Sequence, residues 1–220
     1  MSRRTIGVDD KLHRYMLDVS LREPEIMRRL RAETAKHPMA QMQISPEQGQ
    51  FMQMLVRMTG ARRCIEVGTF TGYSALAVAL ALPKAGKLVA CDISDEYTAI
   101  GKPFWEEAGV AKKIELRIGP AKSSLDAMLK AGEADRYDFA FVDADKPGYP
   151  DYYARCLKLI KPGGVMAFDN VFMSGNVADK RKKSEGTVAM RAFNEMLKDD
   201  GRVEISMLPI GDGLTLARKI

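Results

Sequence analysis

From residue 61 onward the chain alternates short apolar runs with longer amphipathic stretches, and few architectures tolerate that rhythm. RCIEV (63–67), KLVAC (87–91), KIELRI (113–118), YDFAFV (137–142) and GVMAF (164–168) read as strands. The segments between them, about 72–82, 95–108, 121–131 and 149–160, read as helices. Strands this apolar must be covered on both faces, which implies a parallel sheet between helical layers. The tail departs from the pattern. A helix near 185–199 leads to VEISML (203–208) and LTLARK (214–219), joined by a short turn containing Gly211 and Gly213. Strands connected so tightly run antiparallel. The expectation is an α/β fold with about seven strands, mostly parallel, ending in an antiparallel hairpin.

Residues 8–60 read as helical instead. Leu12, Tyr15, Met16 and Val19 form one apolar stripe at helical spacing. Pro24 suits the first turn of a second helix with Ile26, Met27 and Leu30 inward. Ser45, Pro46 and Gln48 have the form of a capping box opening a third helix, which carries Phe51, Leu55 and Met58. With no linker, repeat or low-complexity run, residues 1–220 are expected to form a single domain, with 1–60 a helical cap on a 61–220 core.

Composition removes several function classes. The longest apolar stretch, ALAVALAL (75–82), stops at Pro83, far short of the roughly 20 residues a membrane helix needs. The N-terminal MSRRTIGVDDK has no apolar core after its arginines, so no secretory signal is read and a cytoplasmic location is expected. Cys64, Cys91 and Cys156 lack metal-ligand spacing and sit in apolar surroundings, as reduced, buried thiols do. The two histidines, His13 and His37, lie away from every motif below, which weakens zinc-hydrolase and Ser-His-Asp readings. The net charge of +5 permits an anionic substrate or nucleic acid without demanding either.

The loop EVGTFTG (66–72) follows the first strand at the sheet edge where α/β ligands bind. Gly68 and Gly72 remove side chains where backbone would approach a ligand, although such a loop is equally a tight turn. The spacing is not G-x-G-x-x-G, so the nicotinamide fingerprint is missing. Glu66 instead suits a ligand bearing a positive amino group. Asp92, 92 − 66 = 26 residues later, ends the second strand, where an acid can accept bonds from both ribose hydroxyls.

Two more strand ends are acidic: Asp143 and Asp145 follow the fourth, and Asp169 and Asn170 follow the fifth. Carboxylates brought together there repel unless a cation or proton intervenes. Asp143, Asp169 and the Asn170 amide oxygen are hard ligands suited to Mg²⁺, Ca²⁺ or another divalent ion, the alternative being ordinary polar loop ends. Lys146, three residues after Asp143, is a candidate base, since an ammonium beside a divalent cation gives up its proton more readily. A solvated surface lysine is the other reading.

The order of elements resembles the class I S-adenosylmethionine methyltransferases with their Rossmann-like fold. The closer resemblance is to the caffeoyl-CoA and catechol O-methyltransferase family. It is carried by MQISPEQGQF (42–51), EVGTFTGYSAL (66–76), VDADKPGY (142–149), FDNV (168–171) and LPIGDGLTLARKI (208–220). The resemblance implies S-adenosylmethionine contacts at Glu66, Gly68, Thr69, Ser74, Asp92, Ala121 and Asp145, and the loop reading adds Gly72. It also implies metal ligands at Asp143, Asp169 and Asn170, a base at Lys146, and a homodimer. The implied acceptor is a catechol-type small molecule such as a caffeoyl or flavonoid compound.

Met173 stands where relatives commonly carry Trp, a softer and less selective wall, and Ser174 falls at a substrate-contact position. The run KRKK (180–183) reads as a solvated loop or as a phosphate contact with a coenzyme A thioester or RNA. No aromatics interleave with it, so a nucleic-acid platform is not indicated. Tyr149, Tyr152 and Tyr153 fit core packing or a dimer contact. The alternative function is a tRNA hydroxyuridine O-methyltransferase of the same fold.

Overall fold

The computed structural model describes residues 5–220; Met1–Arg4, at the head of the basic N-terminal stretch, lie outside the described residues. Three helices open the chain, α1 (Asp10–Ser20), α2 (Glu25–Thr34) and α3 (Pro46–Met58). Alternation then begins with β1 (Arg63–Val67), α4 (Tyr73–Ala81), β2 (Lys87–Asp92), α5 (Asp95–Glu107), β3 (Ile114–Ile118) and α6 (Ala121–Lys130). It continues through β4 (Tyr137–Val142), α7 (Tyr149–Leu159), β5 (Ile160–Asp169) and α8 (Glu185–Lys198) to the pair β6 (Val203–Leu208) and β7 (Leu214–Lys219). The seven strands form one sheet in the order β3-β2-β1-β4-β5-β7-β6. β1 to β5 pair in parallel, β7 runs antiparallel to β5, and β6 pairs antiparallel with β7 at the edge. This is the expected α/β architecture, a mostly parallel seven-stranded sheet closed by an antiparallel hairpin.

The period-two alternation of the central strands divides the core into two layers. Ile65, Val67, Ala140 and Val142 face one layer with Phe168, Tyr153 and Phe193. Cys64, Phe139 and Phe141 face the other with α4 and the N-terminal helices. α4 is apolar all round because it lies between the sheet and α3; Tyr73 through Ala79 are all buried. All three cysteines are buried and unpaired. Among the described residues, no helix is long and apolar enough to cross a membrane.

The N-terminal helices differ from their sequence reading. Tyr15 and Val19 are each 62% exposed, Leu12 and Met16 are only partly covered, and α1 buries no residue, so its stripe is not a core face in this chain. α2 does turn Met27 and Leu30 inward, with Ile26 partly covered. α3 buries Gln48, Gly49, Met52, Gln53 and Val56, whereas Phe51 and Leu55 are only partly covered and Met58 is 76% exposed. Two polar residues and a glycine occupy the inner face, which an apolar-stripe count passes over. The capping box is half formed. Ser45 Oγ accepts from the Gln48 backbone N–H at 3.4 Å, but the Gln48 side chain points into the protein.

Glycine in the β1–α4 loop answers to crowding by the protein itself. A Cβ at Gly68 would lie 2.1 Å from the Asp143 carbonyl oxygen, and one at Gly72 would lie 2.3 Å from the Trp105 indole. Both backbones are left-handed, with φ of 91° and 82°. Gly72→Ala is expected to lower the unfolding free energy by about 2–4 kcal/mol, an overpacked contact added to a left-handed Cβ. Chemical denaturation measures this directly.

Candidate active site

The parallel strands β2, β1, β4 and β5 are neighbours, so their carboxyl ends bring Asp92, Glu66, Asp143 and Asp169 to one edge of the sheet. A cavity of about 790 Å³ opens there. Gly68, Thr69, Ser74, Asp92, Ala121 and Asp145 line it, as do Asp143, Lys146 and Asn170. Glu66, Gly72, Asp169, Met173 and Ser174 are not on its wall. Glu66 and Asp169 are buried beneath it, and Gly72 is packed under Trp105.

Each acid meets burial in its own way. Asp92 Oδ2 accepts backbone N–H groups from Thr69 at 2.7 Å and Phe70 at 2.8 Å, and Oδ1 accepts Ser94 N–H at 2.8 Å. Glu66 has no such help: it is fully buried and neither carboxyl oxygen has a hydrogen-bond partner. Burial pushes its carboxyl up to about 8, with the charges of Asp92 and Asp143 adding to the effect. The Ser74 and Thr69 hydroxyls temper that rise without completing a hydrogen bond.

The second group is built around Lys146. Its Nζ donates to Asp143 Oδ1 at 2.9 Å, Asn170 Oδ1 at 2.7 Å and the Tyr149 hydroxyl at 2.9 Å. Tyr149 is fully buried and points its own hydroxyl toward the carbonyls of Asp169 and Val142. Asp169 accepts the Asn170 N–H on Oδ1 at 2.7 Å and the Gln48 side-chain amide on Oδ2 at 2.9 Å. Burial first, and then the charge of Asp143, push Asp169 up to about 7. Oxygens of Asp143 and Asn170 thus converge on the Lys146 ammonium, beside a carboxyl short of positive charge. Among the described residues no three His, Cys, Asp or Glu side chains gather as a metal nest. The set here is two carboxylates and an amide, hard donors of the chemistry a divalent ion takes.

Backbone strain concentrates around this cavity. Of the five non-glycine residues with positive φ among those described, Phe70 lies in the glycine loop and Asn170, Met173 and Ser174 follow β5. The hairpin turn holds the latter segment: Asp212 accepts Phe172 N–H on its carbonyl and Ser174 N–H on its carboxylate. The basic run is a solvated loop, with Lys180, Arg181, Lys182 and Lys183 all exposed and Arg181 paired to Asp179. The three tyrosines are core residues, two of them reaching the site: Tyr149 touches Lys146, and the Tyr152 hydroxyl donates to Asp145. Sequence reasoning missed Gln48, Gln43, Phe70 and Tyr97. Gln43 lines the cavity with its buried Oε1 unpartnered, and Phe70 and Tyr97 pack edge to face in the cavity wall.

Comparison with known proteins gives one answer. The sequence pattern of a family described as O-methyltransferase matches residues 17–220. Catechol O-methyltransferase domain-containing protein 1 of Mus musculus is 44% identical over 96% of this chain and 81% of its own length. Caffeoyl-CoA O-methyltransferase of Eucalyptus gunnii is 45% identical over the whole chain and 92% of its own. The O-methyltransferase TomG of Streptomyces achromogenes, solved in complex with SAM, superposes with a TM-score of 0.85 at 32% identity, covering 95% of this chain and 96% of that one.

The buried Glu66 carboxyl sets the sign of a pH effect. Its folded-state pKa lies above the ordinary value of 4.5, so between about 4.5 and about 8 the folded protein holds a proton that the unfolded chain releases. Stability of the ligand-free protein is therefore expected to fall as pH rises through that window. Glu66→Gln should flatten the fall, as read by denaturant titrations across the range.

Proposed function

The chain belongs to the O-methyltransferase family, and on that premise we propose an S-adenosylmethionine-dependent, divalent-metal-dependent enzyme that methylates one hydroxyl of a catechol-type small molecule, such as a caffeoyl or flavonoid compound. The observation that carries this reading is a single cavity walled both by Gly68, Thr69 and Asp92 and by Asp143, Lys146 and Asn170. A methyl donor and an acceptor held by these two groups would meet within one enclosure.

S-adenosylmethionine would supply an activated methyl, and a bound divalent cation would favour the ionised form of an acceptor phenol whose pKa is ordinarily about 10. The chain's own residues divide the remaining work. On this reading Asp92 accepts from the ribose hydroxyls, the buried Glu66 faces the amino group, and Thr69, Ser74, Ala121 and Asp145 complete the cofactor wall. Gly72 serves by admitting Trp105 beneath the loop. Asp143, Asp169 and Asn170 would hold the cation through oxygen. Lys146, in its neutral amine form, is assigned to receive the acceptor's proton, and the Tyr149 hydroxyl beside Nζ would keep that nitrogen at the site. Met173 and Ser174 are assigned to the acceptor side. Alignment of acceptor oxygen with the methyl supplies the rest, pre-organisation being worth about 7–11 kcal/mol in favourable cases. The proposal includes one domain over residues 1–220 and a homodimer, which sedimentation would read.

The test is incubation with labelled S-adenosylmethionine and a panel of catechols, caffeoyl thioesters and bulk tRNA, with and without chelator. Chelator-sensitive label on a catechol is the expected result; label on tRNA alone would replace the small-molecule reading. Asp143→Ala is expected to lose metal-dependent turnover while keeping cofactor affinity within a few fold. Asp92→Ala should do the reverse, weakening cofactor binding in calorimetry with the other acids untouched.

A further inference from the structure

We infer that Gln48 is a positioning residue for Asp169, delivered to the site by a helix outside the alternating core. The inference rests on the metal reading of Asp143, Asp169 and Asn170. Gln48 lies in the first turn of α3, 121 residues before Asp169 in the chain, and is 1% exposed. Its Nε2 donates to Asp169 Oδ2 at 2.9 Å, and Asn170 N–H donates to Oδ1 at 2.7 Å. Each carboxyl oxygen therefore has one fixed donor, and two donors on opposite oxygens set the plane of the group.

The contact is held from behind as well. A Cβ at Gly211, in the turn between β6 and β7, would lie 2.6 Å from Gln48 Oε1. The glutamine amide is confined between Asp169 on one side and that turn on the other. Its residue type matters. A lysine or arginine would neutralise Asp169 and compete with a cation; a carboxylate would repel it. A neutral amide can orient the carboxylate while leaving its charge for the ion. Gln48 also had a local alternative, since Ser45 precedes it at capping-box spacing. Its side chain bonds to the distant carboxylate instead.

The test is Mn²⁺ binding to the full chain, measured by calorimetry and by electron paramagnetic resonance, alongside S-adenosylmethionine affinity and thermal unfolding. Gln48→Met keeps the volume and removes the donor. It is expected to weaken Mn²⁺ binding about 10–100-fold with cofactor affinity within about twofold of the parent. Gly211→Ala, which leaves Asp143, Asp169 and Asn170 unaltered and crowds Gln48 Oε1, should weaken Mn²⁺ in the same direction and covers the case in which Gln48→Met does not fold. Parental Mn²⁺ affinity in a folded Gln48→Met protein, whatever its melting temperature, would make the contact purely structural and overturn the inference. A parent that binds no Mn²⁺ would overturn the underlying metal reading itself.

Discussion

Four carboxyl groups sit at the ends of adjacent parallel strands, in or beside one pocket, with less positive charge around them than their number requires. That electrostatic shortfall governs the rest of the site. Taking a carboxylate out of water is costly unless donors or cations compensate it. The protein compensates the four unequally. Asp92 is saturated by three backbone N–H groups, and Asp143 has the Lys146 ammonium. Asp169 has only neutral donors, and Glu66 has no completed hydrogen bond at all. The gradient runs from a group settled by its own chain to one that has nothing to pair with until something positive arrives. A family that handles a sulfonium-bearing cofactor would be expected to leave such openings.

The same crowding explains the loop chemistry. The β1 and β4 ends approach so closely that position 68 has room only for a hydrogen in place of a side chain, because the Asp143 carbonyl fills that space. Position 72 is pressed by an indole whose Nε1 donates to the Gly72 carbonyl at 3.1 Å. The glycines that resemble a ligand cradle are first a condition for stacking the strand ends, and any cradle follows from that packing. Strained backbone at Phe70, Asn170, Met173 and Ser174 is tolerated because the hairpin turn and the flanking strands over-determine these loops.

The core was legible because its signal is local. The strands at 63–67, 137–142, 203–208 and 214–219 fall where alternation and turn residues put them, and the strand-end acids were readable from that frame. The helical cap was less so. In α3 the inner face is Gln48, Gly49, Met52, Gln53 and Val56, and an apolar count selects the wrong side when two of the buried residues are amides. In α1 a sound apolar stripe leaves Tyr15 and Val19 exposed and Leu12 and Met16 only partly covered. Gln48 shows the limit most plainly. Three-residue spacing from Ser45 makes it look like a cap partner, and no local pattern reports a bond to a residue 121 positions away.

The insertion of β7 between β5 and β6 has a bearing on how the molecule is made. Val171 N–H bonds to the Gly213 carbonyl, Phe172 and Ser174 lean on Asp212, and Gly211 backs Gln48. A nascent polypeptide emerging from the ribosome holds β1 to β4 and the glycine loop well before it holds residues 203–219. The floor beneath Asn170 and Ser174 thus forms only after residues 203–219 have joined the sheet, and one of its supports reaches back to Gln48 in α3. Translation order alone therefore separates the first four strands and the glycine loop from the turn that steadies the segment after β5.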